Sequence, residues 1–130
     1  LIEMDFGAWE GETLAALRLA HGAHMTELEG LGLDFYAPGG ESPRAVQDRL
    51  RPWLAEIAAG RQDMIAVSHK GVIRALYALA TGWDMREKPA QRLRADTAQL
   101  FVVDGSASGD IRIIGLNLSL SAASALHDGR

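Results

Sequence analysis

An α/β domain with a mostly parallel sheet is the fold class this sequence predicts, and three stretches carry the prediction. In "MIAVSHKGVIRAL", residues 64–76, a short apolar run passes through a His-Lys-Gly turn into an amphipathic pattern, which reads as strand, tight turn and helix. "ESPRAVQDRLRPWLAEIAAG", residues 41–60, carries the clearest helical periodicity. "AQLFVVD" and "DIRIIGL", residues 98–104 and 110–116, are β-rich runs around the small-residue loop "GSASG".

In chain order, "GETLAALRLAHG" has Leu14, Leu17 and Ala20 at spacing three, a short amphipathic helix stopping near Gly22. A turn-rich linker should follow, with Thr26 and Glu29 as a capping box for one helical turn. "YAPGGES" then breaks regular structure before Ser42 caps a helix with Pro43 at its first position. Val46, Leu50, Trp53, Leu54 and Ile57 share one face of that helix, Gly60 stops it, and Pro52 predicts a kink. Residues 64–67 are expected to be a strand buried on both faces, as in a parallel sheet. Val72, Ile73, Leu76, Tyr77 and Ala80 line the next helix, and Gly82 suits a left-handed end. The last two runs predict an antiparallel hairpin, followed by a flexible Ser/Ala-rich tail over residues 121–130.

A chain of 130 residues suffices for one domain with a core, here residues 1–120. Its 48% apolar and 23% charged residues are ordinary globular usage. A net charge of -4 argues against a nucleic-acid or membrane partner, so any anion site must be local. Lys70 and Lys88 are the only lysines among the 13 basic residues, and there is no cysteine to form a disulfide, thiolate nucleophile or cysteine metal cluster. No apolar run reaches the ~18 residues of a membrane span, and a cytoplasmic setting is expected.

Residues at the C-terminal end of a parallel strand face the crevice where open α/β sheets bind ligands. His69 falls there, and the unpaired N–H groups of Lys70, Gly71 and Val72 offer a phosphate or carboxylate site at a helix N-terminus. Gly71 leaves room for the anion. From these residues alone, His69 is open to four roles: anion contact, nucleophile, general base, or a structural cap. A Ser68–His69 dyad is disfavoured, since adjacent strand residues point to opposite faces.

Together, "LIEMDFGAWEG" (residues 1–11), "PGGES" (38–42) and "VSHKGVIRAL" (67–76) resemble, in order and spacing, the histidine phosphatase superfamily of phosphoglycerate mutase-like enzymes. The resemblance runs to about residue 117. It implies a three-layer α/β/α fold and transfer of a phosphoryl group from a small phosphorylated substrate to a histidine, then to water, with no cofactor or metal. The family's nucleophile belongs to an Arg-His-Gly motif at the first strand, and none of His21, His24, His69 or His127 lies in such a motif. With a chain that opens on Leu1, this implies the C-terminal two thirds of such an enzyme, lacking N-terminal strand–helix units.

By the same resemblance Glu3 matches the proton donor, expected to stay protonated beside an anionic phosphate, and His69 the second histidine that contacts the transferring oxygens. Phe6 matches a position near the substrate, with a core or pocket-wall role as the equal alternative. Glu41 and Ser42 match a helix start and read as structural; Gly7 and Gly11 shape the first loop, Trp9 packs, and Arg74, one turn after His69, is placed to reach back toward the site but reads first as a surface ion pair. Lys70 departs from the glycine common among relatives and is a candidate contact to the phosphate or to a second acidic group. A mutase and a non-catalytic phosphate-binding module are the competing functions. A metal site on His21 and His24 lacks an evident third ligand.

Overall fold

A computed structural model describes residues 1–104 and 110–120; the predicted loop at 105–109 and tail at 121–130 lie outside them. Thr13 starts α1 (Leu14–His21), its Oγ1 accepting the Ala16 N–H at 3.1 Å, and Gly22 ends it. A second helix, α2 (Ala23–Glu29), follows at once where the sequence suggests turns. Thr26 sits inside α2 with its Oγ1 donating to the Gly22 carbonyl, so the expected capping box does not form. Burial explains the difference: α2 buries Met25 and Leu28 against Trp9 and Ala37, and tertiary packing stabilises a helix too short to persist alone.

Ser42 and Pro43 open α3 (Pro43–Gly60) as expected, with Ser42 Oγ accepting the Ala45 N–H at 3.0 Å. Its end is one residue later than predicted. Gly60 stays helical and Arg61 takes the left-handed conformation, while Pro52 lies within the helix on an exposed position. The helix α4 (Lys70–Thr81) begins directly after His69, whose side chain makes no capping hydrogen bond, and is closed by left-handed Gly82, whose N–H donates to the Ala78 carbonyl. Strands β1 (Thr97–Val103) and β2 (Ile111–Ser119) pair antiparallel, Val103 opposite Ile111. No helix among the described residues is long and apolar enough to cross a membrane.

Residues 64–67 correct the sequence expectation. They belong to no strand, and Ile65 and Val67 are 96% and 91% exposed instead of buried. A strand exists only through a partner's hydrogen bonds. Among the described residues the sole sheet is the antiparallel β1–β2 pair, so the mostly parallel sheet is not formed there.

The main core joins Val46, Leu50 and Leu54 of α3 to Val72, Ala75 and Leu76 of α4, with Met4 and Ile111 completing it. Buried Gln47 ties the two helices by donating from Nε2 to the Ala75 carbonyl at 3.1 Å. Met4 anchors the irregular N-terminal segment in this core, and Arg49 fastens it from outside. One arginine nitrogen, Nη2, donates to the carbonyls of Ile2 (2.7 Å) and Glu3 (3.2 Å), while Nε pairs with Glu41 at 2.8 Å. Glu41 in turn accepts the Asp5 N–H at 2.9 Å, and its own N–H donates to the Asp5 carbonyl. Gly7 is required beside this clamp, because its φ is +51° and a Cβ would collide with the Pro38 carbonyl.

Partial burial pushes the Glu41 carboxyl up, but the Arg49 and Asp5 hydrogen bonds outweigh it and hold the group below the usual carboxylate range. A depressed carboxyl contributes stability above its unfolded pKa of about 4.3, and that contribution is lost as the pH falls through the folded value. Glu41→Gln should therefore lower the thermal midpoint at pH 7, and the deficit relative to the parent should shrink as the pH is lowered into the acid range. Equal destabilisation at neutral and acid pH would contradict an ionised clamp.

Candidate active site

The centre of the site is a carboxylate seated on a helix N-terminus. Glu3 Oε2 accepts the Gly71 N–H at 3.1 Å, and Oε1 accepts the N–H groups of Val72 at 3.2 Å and Met4 at 2.7 Å. The first-turn N–H groups of α4, which lack partners inside the helix, thus find one 68 residues upstream. The helix dipole favours negative charge at this end. Gly71 makes the approach possible: a Cβ there would stand 2.5 Å from Glu3 Oε1. The anion expected near Gly71 is therefore, in this structure, the protein's own carboxylate.

Glu3 borders an open groove of about 920 Å³, lined also by Phe6, Lys70, Gly71 and Arg74. Four of the five site residues expected from sequence are thereby brought together. Phe6 lines the groove and packs on the main core. The fifth, His69, immediately precedes Lys70 with an exposed side chain that makes no capping hydrogen bond; its carbonyl accepts the Ile73 N–H at 3.0 Å. Trp9 is buried as expected, and the His21 ring packs 5.2 Å from it.

Charge in the groove opposes charge in the chain. Arg18, Lys70, Arg74, Arg86, Lys88 and Arg92 line it with three carboxylates, Glu3, Glu29 and Glu87, although the whole chain is net -4. Arg18 is committed to Glu29, its Nε donating at 2.9 Å. Arg74 is not committed to any carboxylate among the described residues, so the surface ion pair expected for it does not form. Its guanidinium lies 5.1 Å from the centroid of the Trp83 ring, and burial pulls its pKa below the usual arginine value. Sequence reasoning missed Arg49 as the residue that fastens Glu3, and no local signal marks it. Arg74 did carry a signal, its position three residues after Gly71 on one helix face.

A carboxylate fixed on a helix N-terminus thus borders a groove lined by six cationic side chains, an arrangement chemically able to attract an anion and exchange a proton with it. The chain matches the histidine phosphatase superfamily (branch 1) over residues 1–118, and it belongs to that superfamily. It is 35% identical over 112 residues to the bifunctional protein Rv2228c of Mycobacterium tuberculosis and to the uncharacterized protein Mb2253c of Mycobacterium bovis. Those matches cover 84% of this chain and 30% of each relative. The mycobacterial glucosyl-3-phosphoglycerate phosphatase Rv2419c, solved with inorganic phosphate, is similar at TM-score 0.69 and 26% identity, covering 90% of this chain and 61% of that one. The chain thus spans under a third of the curated relatives' length and under two thirds of the solved phosphatase's. The α/β fold is that of the superfamily.

Gly71→Ala isolates the seat of Glu3. The added methyl meets only the end of a flexible side chain, and alanine is favoured over glycine within a helix by about 1 kcal/mol. The helix propensity gained offsets only part of the hydrogen bonds lost when the carboxylate is displaced, so the thermal midpoint should fall. Thermal melts of the two proteins measure the loss; an unchanged midpoint would show that the seat contributes nothing to the fold.

Proposed function

We propose that residues 1–120 form the C-terminal two thirds of a phosphatase that hydrolyses a small phosphorylated metabolite through a phosphohistidine, with the nucleophilic histidine outside this chain. The observation that carries the proposal is Glu3 on the N-terminus of α4, facing a groove with six cationic side chains. Superfamily membership supports it, as does the similarity to a solved enzyme named for phosphatase action on glucosyl-3-phosphoglycerate.

In this mechanism a histidine nitrogen attacks phosphorus and the bond to the ester oxygen breaks. An alkoxide is a poor leaving group at neutral pH, so Glu3 in its acid form donates its proton to that oxygen, the alcohol departs and Glu3 is left as the carboxylate. Three of the four lone-pair sites of the Glu3 carboxylate accept backbone N–H groups, and the fourth, on Oε2, is available for that proton. Glu3 then takes a proton from water as it attacks the phosphohistidine, and inorganic phosphate leaves. His69 and Lys70 contact the non-bridging oxygens, where negative charge is concentrated. Phe6 forms a wall of the substrate groove.

The same reading assigns residues 64–67 a place in a three-layer α/β/α fold, as a strand of a mostly parallel sheet completed by an N-terminal strand. Their apolar, exposed side chains and the 61% coverage of the solved phosphatase support that assignment.

The leaving group tests the role of Glu3. In the full polypeptide, Glu3→Gln should lower kcat/KM for an alkyl phosphate by about 10²- to 10⁴-fold. The loss should be much smaller for para-nitrophenyl phosphate, whose phenolate leaves without a proton. Equal losses on the two substrates would rule out proton donation.

A further inference from the structure

We propose that Arg74 binds a second anionic group of the substrate, a carboxylate or a second phosphate, and so selects which phosphate esters are accepted. The inference rests on the phosphatase reading above and extends it to substrate class. Arg74 follows Gly71 by three residues, so it lies on the same face of α4, about 4.5 Å further along the axis. It borders the same groove as Glu3. A group bound there would lie within about one helical turn of the ester oxygen that Glu3 protonates.

Three features distinguish Arg74 from an ordinary surface arginine. It is half-buried and has no carboxylate within salt-bridge distance among the described residues. A cation partly removed from water without a counter-ion is unfavourable, and burial accordingly pulls its pKa down. Its stacking surface is also held in place. Trp83 donates its indole N–H to the Glu87 carbonyl at 2.9 Å and meets the Tyr77 ring edge-on at 5.8 Å. The guanidinium resting on this ring is therefore pre-positioned, and its planar fork suits bidentate contact with a carboxylate or phosphate. Arg18, in the same groove, is instead neutralised by Glu29.

The test compares three esters on the full natural polypeptide: phosphoglycolate, ethane-1,2-diol bisphosphate, and ethyl phosphate, which has no second anion. The unaltered enzyme should favour at least one of the first two over ethyl phosphate by tenfold or more in kcat/KM, and which one identifies carboxylate or phosphate. Arg74→Gln should lower kcat/KM for the favoured ester at least tenfold more than for ethyl phosphate, mainly through KM, and Arg74→Lys should restore part of the preference. Equal use of all three esters by the unaltered enzyme would overturn the inference. So would an equal loss on all three in Arg74→Gln, which would mark a role in the fold or at the transferring phosphoryl group. Hydrolysis of none of them by the folded, unaltered enzyme would instead overturn the phosphatase reading itself.

Discussion

The seating of Glu3 on the first turn of α4 is the interaction on which the arrangement of the site depends. Residues 1–6 contain no regular structure, yet one side chain there accepts three backbone N–H groups, two of them from a helix that begins 67 or more residues downstream. Hydrogen bonds to a charged group contribute roughly 1.5–3 kcal/mol each when partly buried, and the helix dipole adds up to about 2 kcal/mol. Those magnitudes are enough to order a short irregular segment. They act together with burial of Met4 and the Arg49–Glu41 clamp, so the carboxylate is held from the core side, the solvent side and the helix end.

Electrostatics at this junction differ from those of the molecule as a whole. An acidic chain concentrates cations along one groove, which draws an anion to that surface and leaves the remainder repelling it. Within the groove the cations are not equivalent. Arg18 is paired with Glu29, Lys70 is exposed at the helix start, and Arg74 is half-buried against an aromatic ring. A flexible ammonium and a fixed guanidinium suit different tasks, the first following a phosphoryl group through its transfer and the second holding an unreacting anion in one orientation.

Features written in adjacent residues were legible before any coordinates. Ser42 followed by Pro43 marked the start of α3, and Gly82 the end of α4, because each terminus is satisfied by its own neighbours. Glu3 and Gly71, drawn from separate motifs of the sequence, meet in the structure, and Phe6 and Lys70 line the same groove, while the His69 side chain is exposed beside it. Properties that depend on distant partners were not legible. Residues 64–67 have a strand's composition but no strand alongside among the described residues, and α2 owes its helix to burial of Met25 and Leu28 rather than to the capping box expected around Thr26. Arg49 reaches backbone carbonyls 46 and 47 residues away, which no spacing rule anticipates.

In the proposed function, Glu3, the start of α4 and the cationic groove form one phosphoryl-transfer site. A crystal structure of the full natural polypeptide with vanadate bound tests this most directly, since vanadate adopts the geometry of a phosphoryl group in transfer. Vanadate oxygens should lie within hydrogen-bond reach, about 2.6–3.2 Å, of the Glu3 carboxylate and the His69 imidazole. A vanadate bound by the folded protein away from both residues would contradict it.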